Sequence, residues 1–111
     1  MNLENPAPPS SDRTSLLLAP NVKFYGLINT ESVKDCLKQI DAVLDTDKPL
    51  VFEMTTEGGD AEGGRRIACE IQLCRKLRNR ETYFLGKTAV MSAGATVMGA
   101  FPRAYRYLTA V

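Results

Sequence analysis

The sequence predicts an α/β fold built on a mainly parallel sheet, and three observations predict it. Short apolar runs at residues 22–25, 50–55, 82–85 and 104–111 alternate with longer stretches of helical character. Alternation at these lengths implies parallel strands joined by right-handed crossovers. Two glycine-containing turns, Thr55-Thr56-Glu57-Gly58-Gly59-Asp60 and Ser92-Ala93-Gly94, each lie between a strand and a helix. In a parallel sheet such turns gather at the carboxyl ends of the strands, where ligands bind. Finally, no charged side chain occurs from Thr88 to Pro102. A helix apolar on all sides is a buried one, so the stretch Gly86 to Phe101 reads as a buried helix around which the chain is organised.

The elements follow in order. Residues 1–20 are rich in proline and serine and read as a disordered or loosely docked arm, with Leu16-Leu17-Leu18 as a weak docking patch for a partner. Residues 21–111 form the α/β domain. Val22-Lys23-Phe24-Tyr25 is a short strand ended by Gly26. Asn29 or Thr30 caps the first long helix, and Glu31 sits in its first turn, where the helix dipole favours a negative charge. Val33, Leu37, Ile40 and Leu44 mark its apolar stripe. Leu50 to Thr55 is apolar enough to lie inside a parallel sheet. In a helix over Ala61 to Asn79, Ile67, Ile71, Cys74 and Leu77 or Arg78 mark the two faces, with Arg65, Arg66, Arg75, Lys76, Arg78 and Arg80 on a solvated polar side. Thr82 to Leu85 is the third strand and Ala104 to Val111 opens the fourth. The chain stops in or just after that strand, so the fold reads as incomplete at its C-terminus.

Composition limits the function classes. A chain of 111 residues is at most one domain, and 44% hydrophobic with 24% charged residues is ordinary for a globular protein. A net charge of +1 gives no nucleic-acid footprint. No apolar run approaches the roughly 18 residues that span a membrane, and the segment before Leu16 is acidic and proline-rich, unlike a signal peptide. The three cysteines, Cys36, Cys69 and Cys74, fit no disulfide or zinc spacing and read as reduced thiols packed on helix faces, which places the protein in the cytoplasm. No metal and no cofactor is implied. Histidine is absent altogether, which removes the usual general base near neutral pH.

Backbone N–H groups near the starts of the two helices after the glycine turns would converge on an anion or oxyanion. Gly58-Gly59 is neither a Walker loop nor a dinucleotide fingerprint, and Val90-Met91-Ser92-Ala93-Gly94 lacks the first glycine of a nucleophile elbow. Ser92 reads as a helix cap, as a packed small residue or as a nucleophile at the positive end of a helix.

In combination and order, these segments resemble the ClpP family of serine peptidases, within the wider ClpP/crotonase fold of repeated β-β-α/β-α units. Val22 to Gly26 is similar to the family's first strand. Thr56-Glu57-Gly58-Gly59-Asp60 is similar to its Ser-Pro-Gly-Gly-Val turn, Gly86 to Gly94 to its Gly-x-Ala-Ala-Ser-Met-Gly segment, and Arg106 to an arginine ahead of the next strand. The resemblance covers about the N-terminal half of a family member. It implies a proteolytic subunit hydrolysing peptide bonds of unfolded polypeptides, with Ser92 as nucleophile, the N–H groups of Gly59 and Ala93 as the oxyanion hole, and Gly58 and Gly94 shaping the turns. It also implies a homo-oligomeric ring, a polypeptide substrate bound as an added strand, and an ATP-driven unfoldase partner.

Three departures bear on activity. The family's proline before Gly-Gly is Glu57 here, and its methionine after the serine is Ala93. The family's catalytic His and Asp fall beyond Val111, so these residues alone are expected to be inactive. A Ser-Lys pair, used by signal-peptide-cleaving relatives of this fold, would call on Lys87. The other readings are a non-catalytic ClpP-like ring subunit and a crotonase-type acyl-CoA enzyme.

Overall fold

The computed structural model describes residues 2–3 and 11–110. The elements are β1 (Asn2–Leu3), α1 (Ser11–Leu17), β2 (Val22–Tyr25), α2 (Thr30–Leu44), β3 (Leu50–Thr56), α3 (Ala61–Arg78), β4 (Thr82–Val90), α4 (Ala93–Met98), a 3₁₀ turn (Arg103–Tyr105) and β5 (Arg106–Ala110). The sheet order is β1-β5-β4-β3-β2. Strands β2 to β5 are parallel, as the alternation of elements requires, and β1 adds antiparallel to β5.

Strand β2 alternates, with Val22 and Phe24 buried and Lys23 and Tyr25 exposed. That pattern suits an edge strand with one covered face. Its neighbour β3 is central and reads apolar almost throughout, with Leu50, Val51, Phe52 and Met54 all buried. Helix α2 starts in a capping box: Asn29 Oδ1 accepts from Ser32 N and Ser32 Oγ accepts from Asn29 N, both at 2.9 Å. Its most buried positions are Cys36, Ile40 and Val43, while Val33, Leu37 and Leu44 flank the core half-buried. The stripe is therefore rotated by about one residue from the one the sequence suggests. Helix α3 is capped by Asp60, whose Oδ2 accepts from Gly63 N at 2.8 Å, and ends at Asn79 in the left-handed conformation.

One face of the sheet packs against α2, α3 and α4 in a core that includes Phe52, Phe84 and Phe101. Their ring centroids lie 5.1–6.1 Å apart, a spacing that adds to plain area burial. On the other face Val51, Tyr83, Leu85 and Tyr107 meet Leu17 of α1. Arg13 completes this lid, donating to Tyr107 Oη at 3.2 Å and lying over the Tyr105 ring at 4.5 Å.

The structure refines one expectation and corrects two. Within the arm read as disordered or loosely docked, Ser11–Leu17 is helical and Leu17 is buried, because the second sheet face offers an apolar patch for it. The leucine patch thus docks on its own chain, although Leu18 stays exposed. The proline-rich residues 4–10 lie outside the described residues. Second, Gly86 to Val90 is not helix but the continuation of β4. Helix α4 has only six residues, and Ala95, Thr96 and Gly99 face solvent, so it is covered on one side rather than buried all round. Third, two of the cations assigned to a solvated face work on backbone. Arg75 donates to Ala100 O at 2.6 Å, and Arg80 to Lys48 O at 2.8 Å.

Candidate functional site

The site forms where β3 and β4 end. Between Met54↔Gly86 and Thr56↔Val90 the register shifts, so β4 carries two more residues than β3. Thr88 takes φ +63° in this irregular stretch. Thr55 Oγ1 donates to Lys87 O at 2.8 Å and Met91 N to Thr56 O at 3.1 Å, tying the bulged strand back to β3. The bulge delivers Met91 and Ser92 to the mouth of the β3–α3 turn.

Ser92 occupies the N-cap position of α4 with φ +55° and ψ −121°, and its hydroxyl makes no cap hydrogen bond. A non-glycine residue held there is strained by about 1–3 kcal/mol. Ser92 holds the N-cap position, but its side chain satisfies no backbone donor there. The side chain is exposed at the strand-to-helix turn.

Gly58 lies directly against it. A Cβ at Gly58 would fall 2.7 Å from Ser92 Cβ and 3.2 Å from Ser92 Oγ, and φ is +110°. Gly59 is more constrained still, with φ +142° and a hypothetical Cβ only 2.3 Å from Ile28 O. The turn is fixed by Ile28 N donating to Gly58 O at 2.9 Å and Asp60 N to Ile28 O at 2.8 Å. Among the described residues, neither the Gly59 N–H nor the Ala93 N–H donates a backbone hydrogen bond outside its own element; Ala93 is the first residue of α4, whose opening N–H groups have no partner inside the helix.

Sequence reasoning passed over Thr56, which links both turns. Its buried hydroxyl donates to Gly26 O at 2.6 Å and accepts from Gly58 N at 3.0 Å. Its methyl group seats against Gly94, where an added Cβ would come within 2.4 Å. A threonine at a strand end carries no local signal for this role. Arg106, singled out by the sequence, donates from Nε to Phe101 O at 3.0 Å and from Nη2 to Gly99 O at 3.3 Å. With Arg75 it holds the C-terminal end of α4, whose own length is too short to be stable alone.

Lys87 is engaged away from the serine turn, with Glu53. Its Nζ bonds Glu53 Oε1 at 2.6 Å. Burial pushes the Cys36 thiol up to about 12, with Asp35 adding to the effect, and burial also raises Cys74. Both are packed thiols, far from thiolate chemistry, whereas Cys69 is exposed. Among the described residues no group of His, Cys, Asp or Glu could hold a metal ion, and no helix is long and apolar enough to cross a membrane. A cleft of about 330 Å³ opens beside the turn, walled by residues 25–27, 55–57 and 88–89.

No protein-family model matches the sequence, and no curated protein sequence matches it. Solved structures do. ClpP1 from Listeria monocytogenes matches with a TM-score of 0.70 and 26% identity, covering 84% of this chain and 53% of that one. A single-residue variant of that protein matches at 0.67 with the same identity and coverage. The ClpP protease catalytic domain from Plasmodium falciparum matches at 0.65 over 93% of this chain and 57% of that one, at 10% identity, a likeness of fold alone. The chain spans a little over half the length of these proteins. With the glycine turn, the strained serine and the parallel sheet in the order the motifs predict, this chain is ClpP-like along most of its length.

Proposed function

We propose that Ser92 is the nucleophile of a ClpP-like serine endopeptidase site that acts on unfolded polypeptide. The observation that carries this reading is the conformation of Ser92: a strained, uncapped serine at a strand-to-helix turn, pressed against a glycine. Strain of this kind is maintained where it positions a group for use. In this reading Ser92 Oγ attacks the scissile carbonyl, and the N–H groups of Gly59 and Ala93 receive the developing oxyanion. Each such donor is worth ~10²–10³ in rate. The proton leaves to a base supplied from outside these 111 residues, since the chain contains no histidine and Lys87 is engaged with Glu53. The substrate lies extended, as an added strand. Assembly into a homo-oligomeric ring, service by an ATP-driven unfoldase and a cytoplasmic setting belong to the same proposal. Exposed Leu73 and Leu77 on α3, with Leu18, are apolar surface that an assembly would cover.

The test uses a fluorophosphonate probe and intact mass on the chain itself. Serine sites stripped of their base keep part of their advantage through the oxyanion hole. Slow, stoichiometric labelling mapped to Ser92, accelerated by added imidazole and abolished in Ser92→Ala, is expected, with negligible peptide turnover. Labelling spread over other serines, or acceleration equal in Ser92→Ala, overturns the assignment.

The exposed Leu73 and Leu77, which an assembly would cover, also suit a second reading, a non-catalytic ring subunit of the same fold. It requires that Ser92→Ala leave assembly unchanged and that Ser92 label no faster than an ordinary surface serine.

A further inference from the structure

The cleft beside the serine turn supports an inference that rests on the peptidase reading and adds the class of side chain the site takes. Its walls come from the ends of β2 and β3 and from the bulged part of β4. At about 330 Å³ it is at the small end of ligand cavities and has room for one long side chain of an extended polypeptide.

Glu57 is the single charged residue among those lining the cleft. The hydroxyls around it are spent on backbone: Thr56 donates to Gly26 O, and Thr55 and Thr88 both donate to Lys87 O. The lysine on the neighbouring stretch of β4 is held by Glu53 at 2.6 Å. Among the described residues no cation forms an ion pair with Glu57. The remaining lining is Tyr25, 87% exposed and without a packing partner in either core cluster, with Gly26, the exposed Leu27 and Ala89. A single carboxylate in a cleft lined also by Tyr25, Leu27 and Ala89 favours a cation carried on an aliphatic stem, by charge and by cover for the stem. An apolar side chain entering here would strip water from Glu57 without offering it a counter-charge.

The position relative to the serine gives this chemistry a use. Glu57 precedes Gly58, and Gly58 touches Ser92. A side chain seated in the cleft would therefore belong to a residue close to the bond presented to Ser92. We propose that the cleft selects a lysine or arginine side chain of a bound polypeptide, with Glu57 as its counter-charge and Tyr25, Leu27 and Ala89 as cover for its stem.

The experiment is fluorescence anisotropy on the whole chain with two fluorescein-labelled, alanine-rich heptapeptides. One carries a central arginine and the other citrulline, its neutral isostere. The arginine peptide is expected to bind about tenfold more tightly at 50 mM salt, and Glu57→Gln to reduce that preference to about twofold or less. The preference should shrink in 0.5 M salt, as expected for an exposed charge pair. Equal binding of the two peptides, a preference unchanged in Glu57→Gln, or no binding of either overturns the proposal. Circular dichroism confirms that the variant is folded, as an exposed position allows. Failure of Ser92 to label while charge selection persists would remove the peptidase reading and leave the cleft as a recognition site. Labelling without charge selection would do the reverse.

Discussion

The two turns that meet at the site are built in opposite ways. The turn after β3 is over-determined. Ile28 bonds it on both sides, Thr56 bonds it from beneath, and Asp60 caps the helix that follows. The turn after β4 holds a strained serine that caps nothing, at the head of a six-residue helix. That helix is secured from its far end, by Arg75 and Arg106 on the carbonyls of residues 99–101. The difference teaches how a small fold presents a free hydroxyl: the strain is placed in one turn, and a rigid second turn is set against it so that the serine cannot relax. Substitutions that disturb the rigid turn should therefore cost most, those that loosen the clamps less, and one at the strained residue should go the other way.

The largest effect belongs to Gly59→Ala. The new methyl group would overlap Ile28 O at 2.3 Å, in backbone with φ +142°. Backbone on both sides leaves no side chain to give way, so a loss of about 3–5 kcal/mol is expected, the size reserved for strain at special backbone conformations. Urea denaturation gives the value, and an unchanged midpoint would show that the turn is soft. Thr56→Val follows. The volume is kept, but Gly26 O and Gly58 N–H lose their shared partner. Leaving such groups unpaired in the interior costs about 1–3 kcal/mol. Because Thr56 also seats Gly94, slower fluorophosphonate labelling of Ser92 should accompany the loss. Arg75→Met keeps most of the buried stem and removes the bond to Ala100 O. About 1 kcal/mol is expected, confined in hydrogen exchange to α4, with α3 unchanged.

Where local signals are strong, sequence and structure agree closely. Strand β2 spans the four residues expected, and α3 ends one residue short of the expected Asn79. Period-2 alternation, an Asp cap and a left-handed Asn terminus are local properties. What was not legible depended on partners distant in sequence. The small, mostly uncharged residues from Gly86 to Phe101 read as one helix, so the strand expected from the sequence ends at Leu85. Only its pairing across to Thr56 carries it on to Val90. Helix α1 was hidden because proline and serine dominate the arm, while the patch that receives Leu17 is assembled from three different strands. Arg75 looked solvated because charge at helical spacing says nothing of a carbonyl 25 residues away. The residues singled out around the site, Gly58 and Ser92, do come into contact, yet the conformation of Ser92 could not be read from Met91-Ser92-Ala93 at all.

The smallest effect, and the one of opposite sign, is at Ser92 itself. Its φ of +55° with ψ −121° is open to glycine and costly for any residue with a Cβ. Ser92→Ala keeps the Cβ and so keeps the strain, and since the hydroxyl makes no cap bond there is none to lose. Its stability should match that of the parent to within a few tenths of a kcal/mol. Ser92→Gly releases the strain but also frees the unfolded chain, which offsets the gain by roughly 0.4–1 kcal/mol. The balance is a net stabilisation of about 1 kcal/mol, or a rise of several degrees in thermal midpoint for a domain of this size. If the glycine variant is the less stable of the two, the serine is not strained. The turn after β4 would then be an ordinary helix entry, and the case for Ser92 as a group held ready for reaction would lose its physical basis.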